Sequence, residues 1–169
     1  WYPHKNLDRL LGVAEYLQKK YPGFKFRFIL TISDKALAVP LSLKENFLLI
    51  GKVPIEVLPS LYRQSNMMIL PSLLECFSAT YLESMKSGLP ILTSDLAFAR
   101  DICGDAAKYF DPESSSSVGD AIYSLASDVL EQKLLIEKGI NKLKDYPNHH
   151  ARLEKYLQYL GQYNQKNVS

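Results

Sequence analysis

The sequence predicts a doubly wound α/β domain, a parallel sheet with helices on both faces, and two observations carry that prediction. Short, continuously apolar runs such as Phe47-Leu48-Leu49-Ile50 and Met67-Met68-Ile69-Leu70 read as strands buried on both faces. These runs alternate with stretches of helical periodicity, which parallel strands need as crossovers.

Leu7, Leu10, Leu11, Ala14 and Leu17 share one helical face; with Asn6 as N-cap and Tyr21-Pro22-Gly23 as stop, the first helix spans 6–20. Phe24–Ile32 is aromatic and β-branched and reads as a strand, and residues 34–45 carry no assignable pattern. Phe47–Ile50 is the next strand, closed by Gly51. Val53-Pro54 opens a helix whose buried face is Val57, Leu58, Leu61 and Tyr62. Met67–Leu70 is a strand stopped by Pro71-Ser72, followed by a helix over 78–86 that ends at Gly88. Pro90–Thr93 reads as a strand, 95–103 as a short helix and Lys108–Phe110 as an edge strand. The serines 114–117 read as an N-cap and loop, and helical periodicity then covers 118–130, 131–143 and 151–160. The polar tail 164–169 reads as frayed, and neither an internal repeat nor a domain boundary is visible.

Composition narrows the function classes. The chain has 169 residues, 47% hydrophobic and 22% charged, with net charge +2, so it can bury a core and is not dominated by disorder. No apolar run approaches the ~18 residues of a membrane-spanning helix. Twenty basic against eighteen acidic residues argue against a dedicated nucleic-acid binder. Two cysteines, Cys76 and Cys103, make no disulfide framework and lack metal-ligand spacing; they read as free buried thiols of a reducing compartment. No signal-peptide pattern is visible, and the start at Trp1 suggests a piece of a longer protein whose upstream part holds any targeting segment.

Ligands of such sheets bind at the carboxyl ends of the strands, which directs attention to 31–34, 51–53, 71–78 and 94–95. The densest candidate runs from Pro71 through Glu75, Cys76, Phe77, Ser78, Ala79 and Thr80 to Glu83. It leaves a buried strand and enters a helix, so the free N–H groups at the helix start would attract phosphate. Glu75 in the loop and Glu83 inside the helix suit the paired hydroxyls of a ribose or hexose, one carboxylate near each sugar. Equally, Thr80-x-x-Glu83 fits a capping box, and Glu75 fits a solvated loop acid. Lys5, just ahead of the first helix, is placed to neutralise a diphosphate or is simply a surface lysine, with His4 its neighbour. Gly51-Lys52-Val53 offers backbone groups to a nucleobase edge, or is a plain strand-to-helix turn. His149-His150 reads as loop. There is neither a G-x-G-x-x-G nor a G-x-x-x-x-G-K-[ST] pattern.

Taken together, the blocks over about 1–145 resemble the C-terminal, donor-binding half of a GT-B glycosyltransferase of family 4, the group 1 type. The resemblance rests on H-K-N-L, on F-L-L-I-G-K-V-x(4)-L-x-x-L-Y-x-x-S, on M-I-L-P-S-x-x-E-C-F, on L-E-S-M-K-S-G-L-P-I-L-T-S-D and on C-G-D-A-A-x-Y-F-D-P. Glu75 and Glu83 stand at that family's E-x7-E spacing. It implies a Rossmann-like fold and retaining transfer of a hexose from a nucleotide-diphosphate sugar to a saccharide or lipid-linked acceptor. Glu75 would contact the donor sugar and matter for catalysis, Glu83 would hold the ribose, and Lys5 would stabilise the leaving diphosphate. The backbone of Cys76, Phe77, Ser78, Ala79 and Thr80 would lie along the phosphates and sugar, with Lys52 and Val53 near the base. No cofactor or metal is expected. The partners implied are an N-terminal acceptor domain, with helices around 146–160 packing toward it, and the acceptor; the setting implied is cytoplasmic, at the inner face of a membrane, in surface-polysaccharide synthesis.

The chain departs from the family where E-G-F-G becomes Glu75-Cys76-Phe77-Ser78; the added Cβ atoms restrict the backbone and trim the sugar pocket. Two other readings stand beside this one. Another GT-B enzyme, such as a sugar-nucleotide epimerase, would use different acids, and a degenerate, non-catalytic binding module would keep the fold without turnover.

Overall fold

The computed structural model describes residues 2–146, 153–154 and 156–159. Five short strands carry the frame: β1 (Phe28–Leu30), β2 (Phe47–Leu49), β3 (Met68–Leu70), β4 (Ile91–Ser94) and β5 (Ala107–Phe110). All pairings are parallel, β1 with β2 in one sheet and β3-β4-β5 in another. The helices are α1 (Arg9–Lys20), α2 (Leu58–Arg63), α3 (Ala79–Lys86), α4 (Ala97–Cys103), α5 (Ser115–Ser127) and α6 (Val129–Lys142).

Adjacent residues of β4 enter opposite cores, which is what a sheet covered on both faces requires. Leu92 packs with α1 and α5, against Leu10, Val13, Leu17, Val118, Ile122 and Leu125. Ile91 packs with α3 and α4, against Tyr81, Met85, Ala99 and Ile102. A staple closes the α1–α5 seam: Asp120 accepts hydrogen bonds from the Tyr16 and Tyr21 hydroxyls at 2.8 Å and from Lys20 at 3.0 Å.

The fold class stands as predicted, and the differences are local. β1 holds three residues where a strand over 24–32 was expected, because the apolar content of its lead-in serves packing instead of a hydrogen-bond ladder. Phe24, Phe26, Phe28 and Phe47 form a chain of ring contacts 5.3–5.8 Å apart, anchored on Tyr123 of α5. β2 is covered on one face only: Phe47 is buried while Leu48 is 43% exposed, since α3, α4 and α6 pack against β3–β5. Part of the unassigned 34–45 stretch enters a 3-10 turn, Leu41–Asn46. After Pro54 a second 3-10 turn, Ile55–Val57, precedes α2, and Val57 is exposed instead of buried. The serine run is helical: Ser114 caps α5 by accepting from the Ser117 N–H, and residues 115–117 form its first turn. Residues 153–154 and 156–159 are helical, within the expected last helix. The remainder of that helix, His149-His150 and the tail lie outside the described residues.

Candidate functional site

The site assembles where β3 ends. Pro71 and Ser72 are buried directly after the strand, and the loop that follows delivers Glu75 and then the start of α3. Glu75 is held from two sides: Lys5 Nζ ion-pairs with its Oε1, and the Ser72 hydroxyl donates to the same oxygen at 3.0 Å. The side chains of Lys5 and Glu75 are 34% and 10% exposed, so the pair is half-withdrawn from water. Glu75 is therefore not a freely solvated loop acid, and Lys5 is not a plain surface lysine.

Lys5 reaches Glu75 because the N-terminal segment is clipped onto the loop. The Leu73 N–H donates to the His4 carbonyl at 2.7 Å. Asn6, buried and left-handed at φ 53°, donates its amide to the carbonyls of Pro71 at 3.2 Å and Pro112 at 3.0 Å. Asn6 was expected to cap the first helix. It instead terminates a 3-10 turn, Pro3–Lys5, and ties the ends of β3 and β5 to the Lys5 segment, while α1 begins at Arg9. The short polar Asn side chain tolerates this left-handed backbone better than most residues.

Glu83 has a different partner. The N-cap of α3 is Ser78, not Thr80, and no side chain caps that end. This excludes the Thr80-x-x-Glu83 capping box, because Thr80 is already inside the helix. Glu83 Oε2 instead accepts from the Tyr62 hydroxyl of α2 at 2.6 Å, a partner the sequence did not reveal. Burial, reinforced by this bond to Glu83, holds the Tyr62 phenol well above its ordinary range, so it stays a donor. The N–H groups of Ala79 and Thr80 have no backbone partner among the described residues, as expected at a helix start.

Cys76 and Phe77 flank the helix start on the surface, and Ser78 is buried. Cys76 is thus exposed, contrary to the expectation of two buried thiols: its loop turns outward ahead of α3. Cys103 is buried, and burial raises its thiol to about 12. Phe77 lies 6.2 Å from the Tyr146 ring, which places the segment after α6 against the candidate loop. Lys52 is exposed and Val53 half-buried in the β2–α2 connection. Gly51 there adopts φ 72°, and its N–H is bonded to the Ile32 carbonyl at 2.9 Å, which ties it to the segment after β1 and leaves it closed to a ligand. The N–H groups of Lys52 and Val53 have no backbone partner among the described residues.

No group of three or more His, Cys, Asp or Glu side chains suited to a metal ion occurs among the described residues. No helix among them is long and apolar enough to cross a membrane. A cavity of about 230 Å³ lies between the starts of α1 and α5, lined by Asp8, Arg9, Gly12 and Ser115, and includes none of the predicted site residues.

Residues 1–156 match the family model "Glycosyl transferases group 1". The chain belongs to this family. It is therefore a glycosyltransferase domain, with the α/β architecture of a GT-B half. Over 97 residues it is 28% identical to O-antigen chain mannosyltransferase B of Escherichia coli, covering 57% of this chain and 26% of that protein. Over 131 residues it is 24% identical to O-antigen chain mannosyltransferase RfbU of Salmonella typhimurium, covering 73% of this chain and 36% of that protein. The chain thus matches about a quarter to a third of the length of these relatives. Among solved structures it is similar in fold to the C-terminal domain of a glycosyl transferase group 1 family protein (LpcC) of Francisella tularensis. The TM-score is 0.69 at 20% identity, covering 86% of this chain and 81% of that one.

Proposed function

We propose that this domain binds the nucleotide-sugar donor of a retaining family 4 glycosyltransferase. The enzyme transfers a hexose from a nucleotide-diphosphate sugar to a saccharide or lipid-linked acceptor in surface-polysaccharide synthesis. The observation that carries the reading is the Lys5–Glu75–Ser72 cluster on the loop that leads into α3, whose opening N–H groups have no partner among the described residues. It places a cation, an oriented carboxylate and a helix N-terminus at one strand end, as a sugar diphosphate requires. The names of the two O-antigen mannosyltransferase relatives support the polysaccharide setting and are consistent with a hexose donor.

Glu75 Oε1 is occupied by Lys5 and Ser72, so its other oxygen is the one offered to a donor-sugar hydroxyl. As the bond from the anomeric carbon to the diphosphate breaks and the bond to the acceptor oxygen forms, negative charge grows on the diphosphate, whose departing oxygen takes up the proton released by the acceptor hydroxyl. Lys5 and the start of α3 stabilise that charge without a metal ion. Glu83 accepts from the ribose hydroxyls, the backbone from Cys76 to Thr80 lines the phosphates and sugar, and Lys52 and Val53 border the base. An N-terminal acceptor domain completes the cleft, and the enzyme works in the cytoplasm at the inner face of a membrane.

Two variants of the intact protein test the assignment. Glu83→Ala weakens nucleotide binding more than Glu75→Ala does, while Glu75→Ala lowers the rate of sugar transfer more. Loss of both activities only in proportion to loss of folded protein would overturn it.

A further inference from the structure

Among the described residues Tyr62 is the one side chain bonded to the Glu83 carboxylate, and the roles above leave it unused. Its ring is buried at 7% exposure in α2, and its hydroxyl crosses to α3 to donate to Glu83 Oε2 at 2.6 Å. The two residues are 21 positions apart, so the bond is a tertiary choice of the fold and not a local accident. A glutamate carboxylate on an unrestrained side chain turns through a broad range about its last torsion. A donor fixed on one oxygen selects the plane of the group and leaves the other oxygen, Oε1, to accept from a ligand. Tyr62 sits on α2, which follows the Lys52-Val53 connection after the 3-10 turn Ile55–Val57, so its bond to Glu83 joins α2 to α3.

We infer that Tyr62 is a positioning residue that orients Glu83 to receive the ribose hydroxyls of the nucleotide, a reading that rests on the donor site proposed above. Burial and the bond to Glu83 raise the Tyr62 phenol well above its ordinary range, so it keeps its proton through the neutral range and stays a donor.

The test compares Tyr62→Phe, which preserves ring volume and removes only the hydroxyl, with the unaltered intact protein. Uridine, guanosine and adenosine diphosphates are titrated first, and the tightest is then compared with its 2′,3′-dideoxy counterpart. The unaltered protein favours the ribonucleotide by about tenfold, the factor equivalent to 1.4 kcal/mol. Tyr62→Phe lowers ribonucleotide affinity by about fivefold and leaves the dideoxy affinity unchanged, in keeping with the worth of one hydrogen bond to a charged group. Equal weakening of both ligands means that the hydroxyl serves packing alone and overturns the inference. A ribonucleotide preference that survives in Tyr62→Phe but collapses in Glu83→Gln overturns it while leaving the role of Glu83 standing. If the unaltered protein binds both ligands equally, the ribose role of Glu83 fails and the inference with it. If it binds none of the three diphosphates, the donor-site reading itself fails and takes the inference down with it.

Discussion

Replacing Lys5 by alanine strips Glu75 of its cation while leaving the Ser72 hydroxyl in place. Fully exposed ion pairs contribute about 0–1 kcal/mol, whereas removing one partner of a buried pair costs about 3–5 kcal/mol. With Lys5 at 34% and Glu75 at 10% exposure, the pair falls between these limits. Lys5→Ala should therefore cost about 2 kcal/mol, because the surviving carboxylate is the more buried partner. In a domain of this size that lowers the melting temperature by about 4–8 °C. Glu75→Ala should cost about 1 kcal/mol, since the freed ammonium reaches water more easily. The double variant Lys5→Ala/Glu75→Ala should lose less than the sum of the two, with a coupling energy of about 1–2 kcal/mol. Thermal melts of the four proteins, at low and at high salt, measure this cycle. Additivity within about 0.5 kcal/mol would refute the claim that Lys5 is committed to Glu75 in the folded domain.

Three further outcomes follow from packing and ionisation. Gly119→Ala should destabilise the domain by about 1–3 kcal/mol by overpacking. Its new methyl would stand 2.6 Å from the Tyr16 ring, which the Asp120 staple keeps from moving aside, and chemical denaturation reads the loss. A thiol-alkylating reagent should add one label to the native protein at Cys76, and a second at Cys103 only on unfolding, as mass spectrometry would show. Acid should erode stability: the Arg100 hydrogen bond lowers the Asp95 carboxyl, and the Lys138 hydrogen bond lowers that of Asp105. A carboxyl with a depressed folded-state pKa adds stability that is present above the unfolded value of about 3.9 and is lost as pH falls through the folded value. Melting temperatures should therefore decline below about pH 4, and by less in Asp95→Asn.

The architecture was legible because α/β alternation is written locally, in short apolar runs separated by helical periodicity. It failed where one signal served two purposes. Phe24 and Phe26 have the chemistry of strand residues, yet they spend it on ring packing with Tyr123, which no local pattern distinguishes from a ladder. Leu48 looks like a buried strand residue, and only the distribution of helices over the sheets leaves it exposed. In the candidate site, Glu75 and Glu83 stood out by their spacing and Lys5 by its place ahead of the first helix, but what holds them did not. The Asn6 clamp spans 65 and 106 residues, and the Tyr62–Glu83 bond joins two helices, so both exist only once the chain is folded. The one available hint was Asn6 itself, an asparagine before a helix that also suits a left-handed turn. Tyr62 offered none, since its spacing on an apolar helical face reads as core.

Donor binding at this domain is tested most directly by a calorimetric titration of the intact protein with a panel of nucleoside diphosphates and nucleotide sugars. Selective binding of one base, weakened by both Glu83→Ala and Lys5→Ala, is the expected result. Binding to no member of the panel, or binding that neither substitution alters, would contradict it.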